Sequence, residues 1–444
     1  MLGFSMVQLT RKYSAKFDKG IRQSLLHLYK PMRRTPCFLH RPLEGILKKT
    51  KKFPVIIEFD QENTISQKSE IDKVHQLVKP QLRSKVKHQF PNVCSCSANL
   101  TASAIEKLMD SDCNIKKIYY DREVKALMDV ASPSIHAREL NEQGLTGKNV
   151  NIAVVDTGVQ PHKDLTEPTN RIIAFKDFVK DKTEPYDDNG HGTHCAGDAA
   201  GNGFLSDGKY QGSAPEAGVI GVKVLNKMGS GSLSTIIAGI QWCIDHKDEY
   251  QIDIISLSLG AEADESDCND PLVQIVNAAW ENNIVVCVAA GNSGPDQRTI
   301  GTPAISSKVI TVGAIGDQNT VERGDDEIAS FSSRGPTCGE TSKPDLLAPG
   351  VDIISLRASG SFLDKTNKTS RVENDYFSLS GTSMATPICA GVAALVLQAQ
   401  PELSPDEMKQ QLLQASVDIG LPEYAQGAGY LDASKAIITN PSGK

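Results

Sequence analysis

From Leu145 onward, short apolar runs rich in β-branched residues alternate with helix-like segments, and that alternation leaves few architectures open. The runs are Val150–Val155, Val219–Leu225, Ile252–Leu257, Ile284–Ala289 and Val309–Val312, with segments such as Ser232–His246 and Pro271–Glu281 between them. Strands that are apolar on both faces must be covered on both faces. The pattern therefore predicts an α/β domain, a parallel sheet between two helical layers. Ser404-Pro405-Asp406-Glu407 opens a further helix with a capping-box pattern. The polar segments 316–327 and 359–375 read as surface loops.

Upstream the pattern differs. Residues 53–129 read as a small α+β unit: strand Phe53–Phe59, a charged helix over 69–88 broken at Pro80, strand Val93–Leu100, a capped helix over 101–109, and strands Ile115–Tyr120 and Val124–Met128. That order suits a β-α-β-β-α-β unit, the ferredoxin-like arrangement. Residues 130–136, VASPSIH, have the small, polar, Pro-containing composition of a linker. Residues 1–52 carry thirteen basic against two acidic residues and three prolines, and read as a basic extension with one helix near Ile21–Tyr29.

Charge and cysteines narrow the function classes. The net charge of −7 gives no sign of a nucleic-acid partner. No stretch reaches the roughly 18 apolar residues that span a bilayer, so no membrane partner is expected. The opening residues are broken by Gln, Thr, Arg and Lys before a signal-peptide core develops, which predicts a cytoplasmic protein. The ten cysteines are scattered, several in apolar runs, and read as reduced core thiols rather than a disulfide frame.

Four segments carry residues suited to chemistry. Asp156 follows the strand Asn151–Val155; in an open parallel sheet, ligands gather at strand carboxyl ends. His191 lies between glycines in Asn189-Gly190-His191-Gly192-Thr193-His194, which leaves an accessible imidazole. It reads as a general base, because no third ligand at helical spacing supports zinc. His194 and Cys195 read as packed supporting groups. Asn292 ends the run Ile284–Ala290, where a side-chain amide can donate to an oxyanion or simply form a turn. Ser383, in Gly381-Thr382-Ser383-Met384-Ala385-Thr386-Pro387, precedes the apolar segment Ile388–Gln398, read as a buried helix. It would sit in that helix's first turn, where free backbone N–H groups face outward. Taken alone, such a serine is as readily an N-cap as a nucleophile.

Together these segments resemble the subtilisin family of serine proteases, in the order Asp156, His191, Asn292, Ser383 and over about residues 130–440. The likeness extends to the long intracellular, signal-less members from bacilli. It implies a broad-specificity serine endopeptidase acting on proteins and peptides through an acyl-enzyme. Ser383 would be the nucleophile, His191 the base, Asp156 its orienting carboxylate and Asn292 an oxyanion donor. The same likeness makes Ser258-Leu259-Gly260 and Ala289-Ala290-Gly291 the walls of the pocket beside the scissile bond, with Gly301 at its base. These residues are uncharged and imply apolar or large P1 side chains. Gly229-Ser230-Gly231 would pair with an extended substrate, and Thr302-Pro303 would be a cis peptide. No cofactor is implied for catalysis. A structural calcium is implied at most, with Asp164 at one ligand position, although the loop 201–212 departs from the family's ligand string. Residues 53–129 would be an inhibitory, chaperone-like propeptide, with self-cleavage near 130–136. The rival readings are an inactive subtilase fold used for binding, and an esterase with the same residues.

Overall fold

A computed structural model describes residues 5–29, 40–60, 67–81, 84–90, 95–120, 128–263, 268, 270–318 and 320–437. The chain divides into two compact units, Met1–Val124 and Lys125–Lys444.

The first unit is built on strands β1 (Lys52–Phe59), β2 (Lys85–Phe90), β3 (Ser95–Thr101) and β4 (Ile115–Tyr120), with helices Gln67–Val78 and Ala102–Met109 after β1 and β3. The sheet order is β2-β3-β1-β4, and every described pairing is antiparallel. Along β1 burial alternates, so Phe53, Val55, Ile57 and Phe59 face the core. Thr101 caps the following helix by accepting from Ala104 N at 3.3 Å. The segment 69–88, expected as one interrupted helix, is a helix followed by β2. The expected strand Val124–Met128 falls mostly outside the described residues; Met128 itself begins a helix, Met128–Ser134.

Residues 1–52 are not merely a basic extension. Helices Ser5–Lys12, Lys19–Leu26 and His40–Thr50 pack within this unit, and Met6, Phe17, Ile21, Leu25 and Leu28 are buried in its core. The helix expected near Ile21–Tyr29 is present as Lys19–Leu26, and Ile21, Leu25 and Leu28, at helical spacing, face the core. Glu44 fastens the first of these helices, accepting from Ser5 N at 2.9 Å and Tyr29 Oη at 2.7 Å.

The second unit contains the expected parallel sheet. Its strands are β5 (Asn151–Asp156), β6 (Ile172–Asp177), β7 (Gly218–Lys223), β8 (Ile252–Leu257), β9 (Val285–Ala289), β10 (Ile310–Gly316), β11 (Glu327–Ile328) and β12 (Leu346–Pro349). They lie in the order β11-β10-β9-β8-β5-β7-β6, with β12 also pairing β10; only β11 is antiparallel. β7, β9 and β10 are buried along their whole length. The helices Leu233–Asp245 and Pro271–Glu281 pack against each other and on β5 and β9 respectively. Helix Thr382–Ala399 packs on β5, β8, β9, β10 and β12 and on helix His191–Ala200. It is long and apolar enough to cross a membrane, yet 83% of it is buried here, as a core helix. The chain leaves β5 for β6, returns through β7, and then passes to β8 on the other side of β5. That reversal opens a crevice at the carboxyl end of β5, where Asp156 stands.

The expected linker is corrected. Residues 128–134 are helical, and Ala131, Ser134 and Ile135 are buried, with Ser134 Oγ 2.9 Å from Tyr430 Oη. Small residues that look loop-like allow this segment close packing instead. The segment 359–375 is also not bare loop. It holds helix Phe362–Thr366 and β14 (Arg371–Val372), which pairs with β15 (Tyr376–Leu379), itself paired with β13 (Ile353–Leu356).

Candidate active site

Asp156 ends β5 fully buried, and its carboxylate lies 2.8 and 3.0 Å from His191 Nδ1. Thr157 N–H also donates to Asp156 Oδ1 at 2.7 Å. His191 opens the helix His191–Ala200 and keeps 23% of its side chain exposed. Burial pulls the imidazole pKa down, but the adjacent Asp156 carboxylate outweighs it and holds the pKa well above the usual histidine value. Gly192 permits this approach: a Cβ there would lie 2.2 Å from Gly158 O and 3.1 Å from Asp156 Cβ.

Asp187, not singled out in the sequence, fixes both loops. It accepts from Thr157 Oγ1, Asn189 N, Gly190 N, and both N and Oγ1 of Thr193 at 2.8–3.0 Å. Burial nevertheless pushes its carboxyl up. The only signal was an acid pair, Asp187-Asp188, ahead of the His191 segment, and it reads as an ordinary polar turn.

Ser383 is the second residue of helix Thr382–Ala399. Its hydroxyl donates to Ser258 O at 3.2 Å, and Ser258 Oγ donates back to Ser383 O at 2.8 Å. This reciprocal pair ties the end of β8 to the helix start. Cys195 bridges toward the histidine: Sγ is 3.4 Å from Ser383 O and 3.8 Å from His191 Nδ1. Burial raises its thiol to about 11, so it is a packed thiol and not a competing nucleophile at neutral pH. The described hydrogen bonds include none between Ser383 Oγ and His191. Asn292 Oδ1 accepts from Thr382 N at 2.9 Å and Thr382 Oγ1 at 3.1 Å, which leaves the amide NH₂ of this exposed residue to donate beside Ser383. His194 is buried, 3.0 Å from Asp198, with Nε2 near Ile353 O and Phe377 O.

Two cavities flank this group. One, of about 520 Å³, is lined by Leu259, Gly260, Ala289, Ala290, Gly291, Asn292, Gly301 and Ser383, joining most of the expected pocket residues. Ile300 and Ile305 add apolar surface the sequence did not indicate. Glu262 and Arg298 also line it, and Arg298 is paired with Glu340 at 2.6 Å. The other cavity, of about 570 Å³, contains His191, Gly229, Ser230, Gly231, Ser258, Leu259 and Gly260. Gly229–Gly231 belongs to a turn rather than a strand, with Asn226 N donating to Ser230 O at 2.9 Å. Thr302–Pro303 is cis. Cys338 lines the first cavity and is bonded to Cys268, so the expectation of reduced thiols fails for this pair. Cys195, Cys243, Cys287 and Cys389 are free and buried.

Asp164, the implied calcium ligand, is paired with protein donors. Its carboxylate accepts from Leu205 N at 3.0 Å and Tyr376 Oη at 2.7 Å. The Arg171 guanidinium donates to Asp164 O, Ala200 O and Ala217 O. Burial lowers Arg171 to about 10, so it stays charged at neutral pH on these carbonyls.

A sheet of this order, with an Asp–His pair at its switch point and a serine at the start of a buried helix, defines a serine protease scaffold. Residues 147–430 match the subtilase family, and the chain belongs to it. It is 52% identical to serine protease AprX of Bacillus subtilis (strain 168), over 98% of this chain and 99% of that protein. It is 34% identical to a thermostable alkaline protease of Halalkalibacterium halodurans, over 79% and 84% of the two chains. Among solved structures, sphericase matches at a TM-score of 0.53 and 32% identity, covering 65% of this chain and 92% of its own.

Proposed function

We propose that this subtilase is an endopeptidase that cleaves through an acyl-enzyme at Ser383. The Asp156–His191 contact of 2.8 Å carries the reading. It fixes the imidazole with Nδ1 toward the carboxylate and frees Nε2 to act as base. Turning the Ser383 hydroxyl from Ser258 O toward that nitrogen lets His191 take its proton as Oγ attacks the scissile carbonyl. The Ser383 N–H and the Asn292 amide receive the oxyanion. His191 then protonates the leaving amine, and water reverses the sequence. The apolar surface of Ala289, Ala290, Ile300 and Ile305 around Gly301 supports a preference for apolar or large P1 residues. Labelling with a fluorophosphonate followed by peptide mapping tests this: modification of Ser383 is expected, and a folded, processed enzyme labelled elsewhere or not at all overturns it. Matched peptide and ester substrates separate the protease from an esterase.

In the same reading, the β-α-β-β-α-β core of the Met1–Val124 unit is a ferredoxin-like propeptide, the enzyme's own folding aid and inhibitor. Burial of Ala131–Ile135 moves the expected self-cleavage upstream of Ala131. Mass and N-terminal sequencing should show that truncation in wild type and not in Ser383→Ala; equal intact masses after prolonged incubation refute it. We further propose a cytoplasmic setting without nucleic-acid or membrane partners, to be checked by fractionation, and no calcium at Asp164.

A further inference from the structure

The polar sequence of 359–375 suggests a surface loop, but its helix Phe362–Thr366 is seated on the histidine loop. Phe362 N donates to Asp188 O and Leu363 N to Asn189 O, both at 2.9 Å. The contact is close: a Cβ on Gly190 would lie 2.7 Å from Ser361 Oγ and 3.7 Å from Leu363 Cβ. Asp364 fixes the segment from behind, accepting from Arg357 Nε at 2.6 Å, Arg371 Nε at 2.7 Å and Gly360 N at 2.9 Å. Leu363 is thereby held at the cavity that also contains His191, Leu225, Leu233, Ile236 and Leu272.

We infer that Leu363 is a specificity-determining residue, forming the wall that selects an apolar side chain at P2, the residue just before the one attacked. The inference rests on the endopeptidase reading. Leu259, Gly260 and Ala261 border both cavities and so separate them. An extended peptide points successive side chains to opposite sides. With P1 in the cavity that holds Ser383 and Gly301, P2 falls on the His191 side, where Leu363 stands. The chemistry selected is an aliphatic side chain, because Leu363 and Leu225 add apolar surface to a lining that also holds Asn189 and Thr157, and the backbone N–H and C=O of Leu363 are already paired.

The test measures kcat/KM for two peptide anilides with the same P1 Phe, one with P2 Leu and one with P2 Gly, using enzyme produced from the whole chain and left to process itself. Fluorophosphonate titration sets the active-site concentration, so misfolded protein does not enter the rates. Wild type should prefer P2 Leu. Leu363→Ala should reduce the Leu/Gly ratio about tenfold, the scale expected for losing a few buried methyl(ene) contacts, and Leu363→Met should restore most of it. Leu363→Lys should shift preference toward a P2 Glu substrate. An unchanged Leu/Gly ratio in Leu363→Ala, with both rates falling together, overturns the subsite assignment. A wild type that cleaves neither anilide overturns the endopeptidase reading instead.

Discussion

At the scale of single residues, the opposed forces on His191 set how activity should depend on pH. A general base must be neutral, and the Asp156 carboxylate holds His191 protonated to higher pH than usual. kcat/KM should therefore rise with pH through a midpoint above 6.5, the ordinary histidine value, and be lost below it. Asp156→Asn removes the main upward pull. It should move that midpoint down and reduce kcat by about 10⁴-fold, because the tautomer is no longer fixed. A pH–rate series on both enzymes checks the sign. Asn292→Ala should lower kcat by roughly 10²–10³-fold with little change in KM, a magnitude taken from a subtilisin amide. Chelation tests the Arg171 arrangement. With a guanidinium on the carbonyls around Asp164, EDTA should leave Tm unmoved, whereas a calcium held at 100 times its Kd would contribute about 2.7 kcal/mol. Asp156, Asn292 and Ser383 were legible because each borders an apolar run, and His191 because glycines flank it on both sides. Asp187 and Leu363 were not, since their partners are set by tertiary packing and nothing local marks them.

Among elements, those with strong apolar character were readable and the charged ones were hidden. β8 and the helix Pro271–Glu281 coincide with their expected bounds. β6 was missed because it is a partly exposed edge strand ending in Lys176-Asp177, and β2 because its sequence KVKHQF alternates charge with apolar residues. The segment 359–375 has a loop-like sequence because its order comes from ion pairs. Burial alone would raise the Asp364 carboxyl, but Arg357, the Gly360 N–H and Arg371 outweigh it and hold it at about 2. A depressed folded pKa stabilises above the unfolded value of 3.8 and loses that stabilisation as pH falls toward about 2. The difference corresponds to about 2 kcal/mol. Asp364→Asn should lower Tm at neutral pH, and the gap from wild type should close as pH drops through that window. Thermal melts at several acidic pH values decide it; a gap that persists at the lowest pH assigns the loss to packing instead.

For the molecule as a whole, alternation pointed to a parallel-sheet domain after a small α+β unit, while the protease reading came from the resemblance carried by the Asp156, His191, Asn292 and Ser383 segments. Composition and alternation could not show that Met6, Phe17, Ile21, Leu25 and Leu28 supply core to the first unit, since the many basic residues around them read as a solvated extension. Nor could spacing reveal that Cys268 and Cys338, 70 residues apart, are joined. In the chain-entropy view, closing a loop of that length removes enough freedom from the unfolded chain to be worth about 4 kcal/mol. Dithiothreitol, or Cys338→Ser, should lower Tm, and calorimetry with and without reductant measures the drop; equal melts would show that the bond contributes nothing to stability. If the drop is found, the enzyme's working lifetime is a property of its surroundings as much as of its sequence. Thiol-rich media would shorten that lifetime and oxidising ones prolong it, with Ser383 and His191 chemically untouched in both.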